Sequence, residues 1–131
     1  MGRNLPVLGV GAVVVNDGSL LLVRRGVAPE VGRWSVPGGK VELGERVEDA
    51  VVRETREETG LEVACDSFLG FAQRIDASGH FVILDFLAHR VGGVLSAGDD
   101  AAEAAWVPLG KVQAADLVSG LGDFLRSHRV I

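Results

Sequence analysis

Three glutamates crowd the end of one expected helix: Glu54, Glu57 and Glu58, in the run Arg53-Glu54-Thr55-Arg56-Glu57-Glu58-Thr59-Gly60. At about 100° per residue they fall within an arc of roughly 100°, so three carboxylates share one face. Like charges at i,i+3 and i,i+4 repel, and the last turns of a helix already carry partial negative charge. On a helical wheel Val47 and Val51 project to the side of Glu54 and Glu58, whereas Asp49, Arg53 and Arg56 project to the other. The acids therefore continue a stripe that the first turns bury, at the edge of a core. An inward carboxylate is costly unless paired or metal-bound, and Arg53 can pair with Glu57 at i,i+4 but cannot neutralise three charges. Clustered carboxylate oxygens are the donor set of Mg²⁺ or Mn²⁺. Two readings stay open at this point, a divalent-cation site and a salt-bridged surface helix.

The flanks punctuate this helix. Pro37-Gly38-Gly39 predicts a turn, Lys40-Val41-Glu42 a short extended piece, and Gly44-Glu45 leads into the helix with acids at its favourable N-terminal end. Gly60 fits the left-handed position that ends a helix, and Leu61 fits the apolar contact that follows such a cap.

The spacing is Gly39, five residues, Glu45, seven residues, Arg53-Glu54, two residues, Glu57-Glu58, one residue, Gly60-Leu61. This resembles the Nudix box, the signature of the Nudix hydrolases, with every fixed Gly, Glu and Arg present. One position departs: Thr55 stands where the family has an aliphatic residue. Flanking segments are similar too, with a hairpin before the box and Trp106 to Leu109 after it. The resemblance implies a Nudix fold, an α/β/α sandwich with a mixed β-sheet, in one domain spanning 1–131. It implies that Glu54, Glu57 and Glu58 coordinate Mg²⁺, with Mn²⁺ able to substitute, that the backbone of Gly38 and Gly39 approaches the metal site, and that Glu45 either supports the ligands from behind or is an auxiliary ligand. Arg53 would orient the glutamates, and one glutamate or a downstream acid would be the general base. Glu103 is the first choice for that downstream acid, ahead of Asp99 or Asp100, with a solvated loop acid the competing reading.

A diphosphate resists attack because its oxygens are negative, so a catalyst must screen charge, place a water in line and remove its proton. Carboxylates with bound Mg²⁺ can do all three. The expected reaction is hydrolysis of the phosphoanhydride in a nucleoside diphosphate linked to a second group. The stretch from Arg25 to Gly39 is similar to small bacterial ADP-ribose pyrophosphatases. Removal of oxidised nucleoside triphosphates is the alternative enzyme, and a non-catalytic Nudix metabolite sensor is the alternative outside catalysis. Arg24, Arg25, Arg33 and Arg74, with Gly38, are candidates for phosphate or sugar binding, ordinary surface arginines being the competing reading. Trp34 reads as core rather than as a base-stacking ring, and His80 and His89 as structural.

Length and charge agree. A chain of 131 residues with 47% hydrophobic content builds one core, and its net charge of −5 without a basic cluster disfavours nucleic acid. A small nucleotide remains compatible, and a homodimer stays open. Cys65 is the only cysteine, which with no targeting segment fits a reducing cytoplasm. The apolar run from Leu5 to Val15 is too short to span a bilayer. Broken by Asn16-Asp17-Gly18 before Leu20 to Val23, it reads as a hairpin whose strands are apolar on both faces, hence central in a covered sheet. A second hairpin is expected from Phe68–Ile75 and His80–Val91, then a short strand from Glu103 to Val107 and a closing helix from Leu117 to His128.

Overall fold

A computed structural model describes residues 5–131. These form a mixed sheet in which β1 (Val7–Asn16) is central. It runs antiparallel to β2 (Ser19–Arg25) and to β4 (Gly38–Lys40), and parallel to β6 (Gly79–Gly93). The order across the sheet is β3-β2-β1-β6-β5, where β3 is Trp34–Ser35 and β5 is Leu61–Asp76, and β7 (Ala101–Pro108) pairs with β2. Both expected hairpins are present, the second extended by β5 starting directly after the helix.

The apolar alternation on both faces of β1 is used as anticipated. Val10, Ala12 and Val14 pack with Leu21, Phe86 and the inner face of α1 (Val47–Thr59), through Ala50 and Val51. On the opposite face Val13, Leu20 and Leu22 pack with Val112, from a 3₁₀ segment Leu109–Ala114, and with Leu121 and Leu125 of α2 (Leu121–Ser127). The result is the three-layer α/β/α sandwich. Fully burying one such aliphatic side chain is worth about 1.5–3 kcal/mol, so each cluster anchors its helix firmly on the sheet.

Three elements differ from expectation. The extended piece expected over Lys40–Glu42 is β4 at Gly38–Lys40, because Gly38 and Gly39, expected in a turn, pair with Gly11 and Val10 of β1. The closing helix begins at Leu121 rather than Leu117, because Gly120 adopts φ +85° and Leu117 instead forms a parallel bridge to Trp34. The 3₁₀ segment over Leu109–Ala114 carried no recognisable capping signal. Trp34 packs against the α2 cluster, as the core reading required.

Candidate active site

Helix α1 ends at Gly60, which adopts φ 74° and donates its N–H to the Arg56 carbonyl. That ending fixes the last turn against β4. Thr55, the departure from the aliphatic pattern, is fully buried, and its hydroxyl donates to the Val51 carbonyl at 2.7 Å. The polar atom is thus satisfied within the helix and leaves the packing face apolar.

The acids at the end of α1 are held individually. The Gly38 N–H donates to one carboxylate oxygen of Glu58 at 2.8 Å. A side chain at Gly39 would overlap the Glu54 carboxylate, so that position must remain glycine for Glu54 to lie against β4. Arg53 is the hub of the rest. Its Nε and Nη2 donate to Glu45 at 2.7 and 3.0 Å, its Nη1 to Glu54 at 3.0 Å and to Glu57 at 2.9 Å, and Nη2 also to the Lys40 carbonyl at 3.0 Å. The planar guanidinium suits such a fork of contacts better than an ammonium would.

This corrects the wheel reading in two respects. Arg53, assigned to the far side, reaches round to three of the glutamates, and Glu57, expected inward, has a side chain 41% exposed. Among the described residues, no three Asp, Glu, His or Cys side chains converge tightly enough to cage an ion, because Arg53 draws Glu54 and Glu57 while Gly38 holds Glu58. Glu54, Glu57 and Glu58 are thus separately tethered carboxylates, and Glu45 supports them from behind through Arg53.

The donor chemistry nonetheless fits a divalent cation. Burial pushes the Glu58 carboxyl up to about 7, against its hydrogen bond from Gly38 and with Glu54 adding repulsion. Burial also raises Glu54, opposed by Arg53 and reinforced by Glu57 and Asp99. Glu45 lies lower than usual because Arg53 hydrogen-bonds it. Two half-buried acids that resist ionisation beside one another are a site deficient in positive charge.

These carboxylates open on a cavity of about 710 Å³. Of the expected substrate contacts, Arg24, Arg74 and Gly38 line it, together with Arg25, whereas Arg33 does not and pairs with Glu30 at 3.0 Å. Arg74 stacks on Phe81 at 4.3 Å. Glu103 also lies outside the lining and pairs with Arg24 at 2.7 Å, while Asp99 and Asp100 line the cavity. A further lining acid is Asp85 on β6, which the sequence does not signal, because one Asp inside an apolar strand has no partner nearby in the chain. His80 and His89 bond Gln73 and Asp66, and Cys65 is half-buried with its thiol facing the Glu48 carbonyl at 3.7 Å.

A three-layer sandwich with a helix-borne carboxylate cluster against a glycine strand defines a class, and comparison with known proteins identifies it. The NUDIX domain family matches residues 5–127, and the chain belongs to the Nudix hydrolases, enzymes that act on acid anhydrides of phosphorus and use divalent metal ions. It is 42% identical over 106 residues to an ADP-ribose pyrophosphatase of Methanocaldococcus jannaschii, a match covering 79% of this chain and 63% of that protein. A candidate 8-oxo-dGTP diphosphatase of Mycobacterium tuberculosis is 34% identical over 134 residues, covering 92% of this chain and 94% of the relative. The crystal structure of a MutT NUDIX hydrolase from Burkholderia pseudomallei superposes with a TM-score of 0.82 at 35% identity, covering 93% of this chain and 97% of that one.

Proposed function

We propose that this Nudix hydrolase is a Mg²⁺-dependent pyrophosphohydrolase that splits a nucleoside diphosphate linked to a second group, ADP-ribose foremost, into a nucleoside monophosphate and the phosphorylated second group. The observation that carries the reading is the juxtaposition of Gly38, Glu58 and Glu54 at the mouth of a cavity that Arg24, Arg25 and Arg74 also line. Carboxylates alone would repel a diphosphate. Arginines lining the same cavity supply fixed charge and forked donors for its oxygens, and its volume of about 710 Å³ suits a nucleotide. The similarity to the archaeal ADP-ribose pyrophosphatase supports the same substrate class.

Glu54, Glu57 and Glu58 would hold Mg²⁺, which when bound screens the diphosphate and acidifies a water. Arg53 holds Glu54 and Glu57 in place and is itself anchored by Glu45 and the Lys40 carbonyl. The water's proton passes to a carboxylate of this set or to Asp99 or Asp100, close enough to Glu54 and Glu58 to raise them. No side-chain nucleophile is required, so no covalent intermediate forms. The similarity to the mycobacterial candidate 8-oxo-dGTP diphosphatase favours a second reading, release of diphosphate from an oxidised nucleoside triphosphate at the same site. We further place the protein in a reducing cytoplasm.

Incubation with ADP-ribose and Mg²⁺ in ¹⁸O-labelled water should yield AMP and ribose 5-phosphate with the label in one of them. Main activity as release of inorganic phosphate from a monoester, or trapping of a phosphorylated protein, would overturn the reading.

A further inference from the structure

Asp85 is 5% exposed and lines the cavity, onto which its carboxyl oxygens open, with no side-chain hydrogen bond among the described residues. A carboxyl this buried is costly to ionise, and the cavity is the one direction from which a hydrogen-bond partner can reach it. Asp85 pairs across the sheet with Gly11 of β1 on one side and Gly70 of β5 on the other. A side chain at Gly11 would overlap the Asp85 carboxyl itself. Gly11 thus leaves its side-chain space to the Asp85 carboxyl, whereas the corresponding space at Gly70 is taken by the His128 ring, so the acid meets the cavity on the Gly11 side.

Its backbone separation from Gly38, the residue that holds Glu58, is fixed by register. Gly38, which holds Glu58, pairs with Gly11, which pairs with Asp85. Two strand spacings separate Gly38 from Asp85, about 10 Å. That is the span between the diphosphate of a nucleotide and the edge of its base.

We propose that Asp85 is the base-reading residue of this site, its carboxyl meeting the Watson–Crick edge of the substrate's nucleobase in the cavity beside Gly11. This rests on the nucleotide-hydrolase reading above and specifies which base is taken. A neutral carboxyl offers one donor and one acceptor, the complement of adenine's N1 and 6-amino group. An ionised one offers two acceptors, the complement of guanine's N1–H and 2-amino group. Burial raises Asp85 to about 7, with His128 opposing the rise. The acid is thus neutral below that value, where adenine is favoured, and charged above it, where the preference moves toward guanine. Of the groups facing it, Gly11, Gly70 and Val36 carry no charge, and His128 of the α2 end, which covers Gly70, is the titratable neighbour.

The test is calorimetric binding of AMP and of GMP in Mg²⁺ at about pH 6 and about pH 8, for wild type, Asp85→Asn, Asp85→Leu and His128→Phe. Because neither ligand contains an anhydride, base selection is read whether or not ADP-ribose is the true substrate; AMP release from ADP-ribose, scored separately, tests that activity. For wild type and His128→Phe the AMP:GMP affinity ratio should fall about tenfold between the two pH values, the scale of one bidentate base contact. Asp85→Asn, with a fixed donor and acceptor, should favour AMP at both pH values. Asp85→Leu, if it folds, should bind both weakly without discrimination, and Asp85→Asn decides the matter if it does not. A wild-type ratio unaffected by pH, a wild-type pH response retained in Asp85→Asn, its loss in His128→Phe alone, or failure of either nucleotide to bind overturns the proposal.

Discussion

Glu58→Gln should make the metal-free protein more stable while nearly abolishing turnover. The wild-type carboxyl ionises at about 7 in the folded chain against an ordinary value of 4.5, chiefly because burial penalises its charge. At about pH 8 the folded state must therefore carry a charge that the unfolded state hydrates freely. One pKa unit corresponds to about 1.4 kcal/mol, so the gap costs folding about 3 kcal/mol. Glutamine keeps the side-chain oxygen that accepts from the Gly38 N–H, removes the repulsion from Glu54, and loses the attraction to Arg25. Allowing for relaxation, a net gain of about 1–3 kcal/mol is expected, and each kcal/mol moves the melting temperature by roughly 3–5 °C in a chain of this size.

The sign with pH comes from the same numbers. A raised carboxyl binds its proton more readily in the folded state, so wild-type stability falls as pH climbs from 4.5 towards 7. The advantage of the glutamine variant should be full above about 7, narrow below it and close by about pH 4. Urea unfolding of both proteins in EDTA at several pH values measures it, with Mg²⁺-supported turnover followed in parallel. Equal or lower stability of Glu58→Gln at about pH 8 would refute the argument that burial and like charge, rather than pairing, govern this acid.

Other consequences can be checked with the same protein. Mg²⁺ at about one hundred times its dissociation constant should stabilise the fold by about 2.7 kcal/mol, and EDTA should abolish hydrolysis; identical melting and activity in both conditions would defeat the metal assignment. Arg53→Lys retains charge but loses the fork joining Glu45, Glu54 and Glu57, so turnover should drop by about 10- to 100-fold, and wild-type kinetics would show that positioning is done elsewhere. Cys65→Ser should leave kcat and KM unchanged, because the thiol lies outside the cavity lining and faces the Glu48 carbonyl; loss of turnover would contradict that placement.

Periodicity made the frame of the molecule readable. The doubly apolar β1 had to lie centrally, and Gly60 with Leu61 had to end α1, because each signal is local. The closing helix was overextended because Leu117 and Val118 fit a helical pattern, while the tertiary pairing that takes them, with Trp34, lies more than eighty residues upstream. The role of Arg53 was half legible for a similar reason. Its i,i+4 partner Glu57 follows from helix geometry, but its contacts with Glu45 and the Lys40 carbonyl depend on how the loop before α1 folds back.

The acids after β6 show why spacing alone ranks such residues poorly. Glu103 sits in β7, where register fixes its neighbour: it lies opposite Arg24, and the two form an ion pair. Directly beyond, the pairing slips between Arg24 and Arg25, so Arg25 lies opposite Ala101 and the Gly26 N–H bonds the Asp100 carbonyl. A bulge of this kind bends the strand end and re-aims the adjoining side chains. Here it accompanies Asp99 and Asp100 in the cavity lining, with Arg25 beside them, while Glu103 lies outside it. An acid contributed from this segment to the reaction should therefore come from the irregular backbone just before β7. The regular pairing that makes Glu103 conspicuous in the sequence also commits it to Arg24.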